Sequence, residues 1–428
     1  MRNCHQGQLG AVSGWKGRRT VVTMAHGKSH GDSPHVLAIN AGSSSLKFSL
    51  YEASEPLQLS LRGKIARIGL SDTTLMVQDS TGVRTPRRID EVIDHGSAAE
   101  ALTDWLEETG LRSTVRAIGH RVVHGGVRYS APTRVDGQLT KELHEISSYS
   151  PEHLPAELAL IEHFSQGYPG IPQVACFDTT FHCHMPRVAQ LLPIPRSYQQ
   201  KGVRRYGFHG LSYAFLMEEL EHVAGSDSAR GRVILAHLGN GSSLVAVRQG
   251  RSMDTTMAMT PASGIPMGTR SGDLDPGLAW YLARTERMST EQFHHMVNHE
   301  SGLAGISETS SDMSDLLASE AADVRAAEAV ALYCYHVTKA IGSLAAAVGG
   351  LDTLVFSGGI GENAPEIRQR ICAGLGFLGI TIDVKKNAKN DGVISADKAT
   401  VTVRMIRTDE EAMIARSTLR TLNEQPAS

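Results

Sequence analysis

Three stretches of small residues each follow an apolar run: Asn40-Ala-Gly-Ser-Ser-Ser45, Gly239-Asn-Gly-Ser-Ser243 and Ser357-Gly-Gly-Ile-Gly361. Glycine lets a backbone approach a ligand closely, and successive turn N–H groups form a nest for an anion. Each turn taken singly is also an ordinary hairpin turn. Two of them facing each other would hold a polyphosphate from both sides. None follows the GxxxxGK[ST] pattern, so a P-loop is not expected. Charged groups of matching chemistry accompany them. Asp178 closes the apolar run Val174-Ala-Cys-Phe177, where α/β proteins place reactive groups. Arg121 and Arg270 stand close to glycines, and a guanidinium fork binds two oxygens of a carboxylate or phosphate at once. Each arginine also has a plainer reading as the partner of a nearby carboxylate, Asp273 in the case of Arg270.

Elements must hold these groups in place. Val36–Ile39 and Leu46–Tyr51 read as two strands around the first turn, Val233–Ala236 and Ser243–Val247 as two around the second. Sliding one hairpin by 198 residues superposes Leu37 on Leu235, Ala38 on Ala236, Ser44 on Ser242, Ser45 on Ser243 and Leu46 on Leu244. Such a repeat predicts two similarly folded halves. Ser319–Val348 is Ala-rich and helical in pattern. Thr353–Phe356 and Val401–Ile406 read as strands. Asn363 is placed to cap a helix opening with Pro365 and Glu366, and Thr408-Asp-Glu-Glu411 reads as a capping box. Strands alternating with helices predict α/β layers.

The chain has 428 residues, length for two to three domains, with 41% hydrophobic and 20% charged residues and a net charge of −3. This balance points away from nucleic acid or membrane surfaces as partners. No apolar run is long enough to span a bilayer. The five cysteines show no disulfide spacing, which suggests a reducing, cytoplasmic setting. Cys176, His182, Cys183 and His184 cluster, but adjacent residues of an extended chain face opposite ways, so zinc is not expected. Residues 1–35 hold five Lys/Arg and four His without any helix or strand period. They read as a disordered tail, with Met24 a natural alternative start.

Seven segments in order carry a family resemblance: Asn40–Lys47, Gly119–Gly126, Phe177–His182, Tyr206–Gly210, His237–Gly241, Gly268–Pro276 and Gly358–Asn363. They resemble the acetate kinase family over about residues 36–420. That family belongs with sugar kinases, actin and heat-shock chaperone ATPases. The resemblance implies two similar ribonuclease-H-like α/β domains with a nucleotide cleft between them. It assigns 36–182 plus 413–428 to the N-terminal domain, and 183–412 to a C-terminal domain for nucleotide binding and dimerisation. It implies an ATP-dependent, Mg2+- or Mn2+-assisted kinase of acetate, or of propionate, acting as a homodimer. Catalytic roles fall to Asp178, His209 and Arg270, and substrate contacts to Arg121 and His153. The metal would be associated with Asn40 and Glu410. Glu411 would take the capping-box place and leave Glu410 free. ATP contacts fall to Lys47, His237, Leu238, Gly239, Asn240, Gly241, Asp312, Met313, Ser314, Gly359, Ile360, Gly361, Glu362 and Asn363. His182 and His237 also read as structural histidines.

A carboxylate nucleophile is anionic at pH 7 and needs no activating base, so direct in-line attack is the expected mechanism. Three departures stand out. Leu154 replaces a usual Asn and cannot cap the helix that follows, at a cost of roughly 0.5–2 kcal/mol unless Ser150 serves. Ser314 replaces an Arg that contacts nucleotide, which bears on nucleotide preference. Leu211-Ser-Tyr213 replaces Thr-Ser-His. Val123 and Leu154 suggest a small apolar pocket. A non-catalytic actin-like nucleotide binder is the reading from a different class, and it would need none of Arg121, Asp178, His209 and Arg270.

Overall fold

A computed structural model describes residues 33–424 apart from 43, 71, 90 and 91. Most of the expected tail, Met24 included, lies outside these residues. Its last member does not behave as tail: His35 is fully buried, with ring nitrogens 3.0 Å from Thr114 Oγ1 and Ser60 Oγ.

Two sheets organise the chain. The strands of the first are β1 (His35–Gly42), β2 (Ser45–Glu52), β3 (Gln58–Ala66), β4 (Thr74–Asp79), β5 (Arg84–Arg88), β6 (Val115–Val122), β7 (Thr133–Arg134) and β8 (Gln173–Phe177). Their order is β5-β4-β3-β2-β1-β6-β8-β7. The second has β9 (Arg232–Leu238), β10 (Ser242–Arg248), β11 (Arg251–Thr255), β12 (Thr353–Ser357) and β13 (Thr402–Met405), ordered β11-β10-β9-β12-β13. In both sheets an antiparallel three-strand meander is followed by two parallel strands on the other side of its first strand. β3-β2-β1-β6-β8 therefore repeats as β11-β10-β9-β12-β13, the ribonuclease-H-like order of the actin and sugar-kinase fold.

The expected ungapped slide between the hairpins fails at the turn. Leu37 faces Leu50, whereas Leu235 faces Val245, because β1 pairs as far as Gly42 while the equivalent strand β9 already turns after Leu238. The first turn is also shorter than the 40–45 span, since Asn40 to Gly42 continue β1. The third small-residue stretch is the start of a short helix, Gly358–Asn363, rather than a turn. Asn363 does not cap the next helix; its Nδ2 donates to Gly359 O at 2.9 Å. The final helix, Glu410–Glu424, is capped by Asp409 instead of Thr408, with Ala412 N donating to Asp409 Oδ1 at 2.9 Å. The Ala-rich span breaks before the helix Val324–Val348, which Asp323 caps.

β1 is apolar without alternation because both its faces are covered. Leu37 and Ile39 pack with helices His95–Glu108 and Leu154–Gly167, Val36 and Ala38 with the final helix. The helix Val324–Val348 covers one face of the second sheet. Helix Gly210–Ala224 touches both halves: Leu211 and Phe215 join the final helix, while Tyr213, Leu216 and Leu220 join Val233, Val245 and Val355. The parallel strands of each sheet run toward the groups described next.

Candidate active site

A buried ionic network lies at the ends of β1, β6 and β8. Arg121 Nε and Nη2 donate to Asp178 Oδ2 at 3.1 and 2.6 Å. Its Nη1 donates to Asn40 Oδ1 at 3.3 Å and Ala41 O at 3.2 Å. Asn40 Nδ2 in turn donates to Glu410 Oε2 and Glu411 Oε1, at 2.8 and 2.7 Å. The expected division between a capping Glu411 and a free Glu410 is therefore not formed; both bond Asn40. Burial opposes the Glu410 charge, yet Arg121, His237 and Lys47 hold its carboxyl down at about 2. Burial pushes Asp178 up, and the two N–H groups of Arg121 favour its carboxylate form. Asp178 Oδ1 is buried without a hydrogen-bond partner.

A second cluster faces the turn between β9 and β10. His209 sits in left-handed backbone at φ 59°, immediately before helix Gly210–Ala224. Gly210 N–H donates to Asp178 O at 3.0 Å and ties this corner to the first network. The His209 ring stacks on His237 with centroids 4.4 Å apart, and its Nδ1 lies 2.9 Å from Ser243 Oγ. Burial holds His209 well below its ordinary value, with His237 and Arg121 acting the same way, so the ring is neutral at pH 7. Arg270 donates to Pro261 O and to His153 Nε2, each at 3.3 Å. The expected alternative pair with Asp273 is not formed, since Asp273 Oδ1 accepts from Gly264 N–H at 2.8 Å. Arg270 makes no hydrogen bond to a carboxylate among the described residues. Burial first, then Arg121, lowers it to about 10. Burial and the two arginines lower His153 to about 3, which keeps it an acceptor. A Cβ on Gly241 would lie 3.3 Å from His209 Nε2 and 3.6 Å from Arg270 Nη1. Turn, histidine and arginine thus border one space.

The remaining sequence candidates divide. Lys47 is exposed, opposite Asn40 in the β1–β2 ladder. His237 Nδ1 lies 2.8 Å from Ser212 Oγ. Gly239 stands beside the Gly358–Asn363 helix: its added Cβ would be 3.6 Å from Gly359 N. The Gly239 N–H is already taken by Ser242 Oγ at 3.1 Å, so this nest is incomplete. Asn240 O accepts from Gly268 N–H at 3.0 Å and joins the turn to the Arg270 loop. Gly361 is buried and Ile360 packs against the second core, so of residues 359–361 it is Gly359 that is exposed. The side chains of Leu238 and Met313 are buried in that core. Asp312 accepts from Ser314 N–H at 2.7 Å as a helix cap. Glu362 is a structural knot, its Oε1 accepting from Gly358 N, Thr408 N and Ser357 Oγ at 2.9, 3.1 and 3.3 Å. His182 is held on both ring nitrogens, by Ser252 Oγ and Phe208 O.

Three participants were not anticipated. Glu157, fully buried, accepts from Val123 N–H at 2.9 Å, and burial pushes it to about 8 beside Arg121 and Asp178. Its signal was its place one helical turn after His153. His95 Nε2 lies 2.7 Å from Gly42 O. Arg368, fully buried, bonds Gly361 O, Glu362 O, Asn387 and Asn390 and so fixes the Gly358–Asn363 helix. No sequence pattern marks either residue. Position 154 is not the cap expected: Leu154 is the first residue of its helix and His153 holds the cap position without a side-chain cap bond, while Ser150 contributes its backbone carbonyl, not its hydroxyl. Among the described residues no group of three or more His, Cys, Asp or Glu is arranged to hold a metal.

Two sheets of one strand order, one ending in an ionic network and the other beside a glycine turn, place the chain in the fold class of actin and the sugar kinases. The model of the acetokinase family matches residues 35–416. An acetate kinase of Rhodopseudomonas palustris is 43% identical over 386 residues, covering 89% of this chain and 96% of its own. A propionate kinase of Citrobacter rodentium is 41% identical over 401 residues, covering 92% and 98%. The crystal structure of Porphyromonas gingivalis acetate kinase superposes with a TM-score of 0.82 at 35% identity, covering 91% of this chain and all of that one. The chain belongs to the acetokinase family, whose members are kinases acting on a carboxyl group.

Proposed function

We propose that the chain transfers the γ-phosphoryl group of ATP to acetate, reversibly, giving acetyl phosphate and ADP. A carboxylate oxygen attacks the γ-phosphorus as the bond to the β-phosphate bridging oxygen breaks, and the electron pair leaves on ADP. The observation that carries this reading is Arg270: a guanidinium bonded, among the described residues, to no carboxylate, beside His209 Nε2 and the Gly241 turn. Such a cation suits a ligand that brings its own negative charge, and positioning with charge stabilisation is what phosphoryl transfer needs. Arg121, held by Asp178 and Asn40, is suited to the substrate carboxylate, with His153 beside Arg270.

Carboxylate oxygen donors lie in the Arg121 network. Asp178 Oδ1, unpartnered and buried, and the Glu410 carboxylate fit Mg2+ or Mn2+, which bind through one or two carboxylates together with substrate phosphates. Bound there with ATP, the ion would neutralise phosphate charge.

Propionate is the second reading, favoured by the Citrobacter rodentium relative. Val123 and Leu154 are buried in one apolar cluster with Leu158, Phe177 and Met267. One methylene changes pocket binding by only about 1–3 kcal/mol, so both acids fit the proposal. Hydroxamate formation from ATP with acetate, propionate and butyrate is the test. We expect product with the two shorter acids; no product with any of the three sinks the kinase reading.

The proposal includes the division into 36–182 plus 413–428 and 183–412; packing of the final helix on the first sheet supports it. Free cysteines at 176, 183, 334 and 372, and ATP as co-substrate, support a cytoplasmic setting. Among the described residues no helix is long and apolar enough to cross a membrane. A homodimer is supported by helix Gly277–Thr285, which buries none of its residues and exposes Trp280 by 69% and Tyr281 by 56%. Light scattering at the mass of one chain would refute it.

A further inference from the structure

In the proposed transfer the His209 Nε2, which borders the Gly241 turn, is suited to donate an N–H to the phosphoryl oxygens, and this requires that Nε2 rather than Nδ1 carry the ring hydrogen. Resting on that phosphoryl-transfer reading, we propose that Tyr213 is a positioning residue: through Ser243 it fixes the His209 tautomer with the hydrogen on Nε2, aimed at the transferring phosphoryl group. Tyr213 lies in the first turn of helix Gly210–Ala224, four residues after His209, and its N–H donates to His209 O at 3.0 Å. Its side chain is fully buried, as is Ser243 of β10. Tyr213 Oη and His209 Nδ1 both hydrogen-bond Ser243 Oγ, the latter at 2.9 Å.

A count of protons decides the direction. Among the described residues Ser243 Oγ is the hydrogen-bond partner of the Tyr213 hydroxyl. If His209 Nδ1 carried the hydrogen and donated to Ser243, the two contacts on Ser243 Oγ would have to serve three hydrogens, and one of the two hydroxyls, of Ser243 or of Tyr213, would be buried with no acceptor, at the cost of an unmade hydrogen bond. In the opposite sense both buried hydroxyls are used: Tyr213 donates to Ser243, Ser243 donates to Nδ1, and the remaining hydrogen sits on Nε2, which borders the space at Gly241 and is not one of the buried unpartnered atoms. Burial raises the Tyr213 phenol far above its ordinary value, so it stays a donor. Burial also keeps His209 neutral, so a single hydrogen is at issue. Nε2 is the atom that borders Gly241 and Arg270. Leaving the tautomer unfixed would present the phosphoryl oxygens with a lone pair for part of the time, which repels rather than stabilises them.

The experiment compares wild type, Tyr213→Phe and Ser243→Ala. Phenylalanine fills the same space without the hydroxyl. Tyr213→Phe should lower kcat about tenfold while both KM values and the melting temperature hold, less than the 10²–10³ for deleting a donor outright. Ser243→Ala should cost at least as much, and the double variant no more than Ser243→Ala, since both act through one path. A purely packing role would instead move stability and KM together. Nitrogen-15 NMR of the histidine ring in the full chain reads the tautomer without turnover. Wild type should show Nε2–H at His209, and Tyr213→Phe a mixture. Wild type with Nδ1–H, or unchanged kcat in both single variants, overturns the proposal. An inactive wild type with Nε2–H would count against the kinase reading alone.

Discussion

The two halves of the molecule share a strand order but treat charge in opposite ways. At the first sheet, Arg121 is closed into a network with Asp178, Asn40, Glu410 and Glu411. At the second, the turn from Gly239 to Gly241 offers backbone, a neutral His209, and Arg270 with no carboxylate on its hydrogen bonds. The first half satisfies its cation internally and so gains a fixed geometry. The second leaves its cation for a ligand. Since the backbone topology is common to both, the asymmetry comes from side chains alone. In the proposed transfer, a cleft built this way would grip a small carboxylate on rigid groups and a polyphosphate on groups that complete their charge balance only when it arrives.

The largest expected effect breaks the closed half. Arg121→Met leaves Asp178 and Glu410 without their cation in a buried site. Removing one partner of a buried pair costs about 3–5 kcal/mol. Urea unfolding should therefore show a lowered midpoint, together with lost activity. An unchanged midpoint would mean that the network is not a structural one. Arg270→Ala is the mirror case. It should lower kcat by about 10²–10³, yet leave the urea midpoint where it was, because no carboxylate loses a partner. If both variants lose stability alike, the contrast between the halves fails.

A subtler probe is Glu157, the acid packed beneath Arg121. Its ordinary value is 4.5, and in the fold it is pushed to about 8, chiefly by burial. The folded chain thus holds a proton that the unfolded chain releases above pH 4.5. The resulting stabilisation is full below 4.5 and is lost as pH rises through about 8. Glutamine at 157 keeps the acceptor for Val123 N–H but has no proton to lose. Between pH 5 and 8, wild type should lose stability relative to Glu157→Gln by up to about 1.4 kcal/mol per pH unit. Parallel unfolding curves across that range would show Glu157 ionised in the fold.

Much of this contrast was legible in the sequence, for physical reasons that differ by residue. The strand hairpins are written in apolar runs around small residues, and the Ala-rich helix in its composition. Arg121, Asp178, His209 and Arg270 stand in motifs whose order carries a family pattern. What escaped notice is what depends on long-range contact. Glu157 reads as an ordinary helix acid until the fold buries it. Arg368 looks like a surface arginine, yet all its bonds go to oxygens of segments Gly361–Glu362 and 387–390. Asn363 and Thr408 had good local capping chemistry, but Gly359 O and Ser212 Oγ took them instead. Local propensity is a weak prior wherever tertiary partners compete for the same group.

The smallest effect tests the open half at a single atom. Gly241 is not in left-handed backbone, so alanine is conformationally permitted there. Its Cβ would sit 3.3 Å from His209 Nε2 and 3.6 Å from Arg270 Nη1, close enough to crowd the space proposed for the phosphoryl group. Gly241→Ala should therefore reduce kcat several-fold, roughly 1 kcal/mol of barrier, while stability holds or rises by about 0.4–1 kcal/mol as the unfolded chain loses freedom. Gly358 supplies the control. It has φ 77°, and its Cβ would meet Leu238 O at 2.7 Å, so Gly358→Ala should destabilise the fold instead. Steady-state kinetics and thermal unfolding of the two variants separate crowding at the reacting atoms from strain in the scaffold. Full activity in Gly241→Ala would move the phosphoryl group away from that turn, and with it the role given to His209 Nε2.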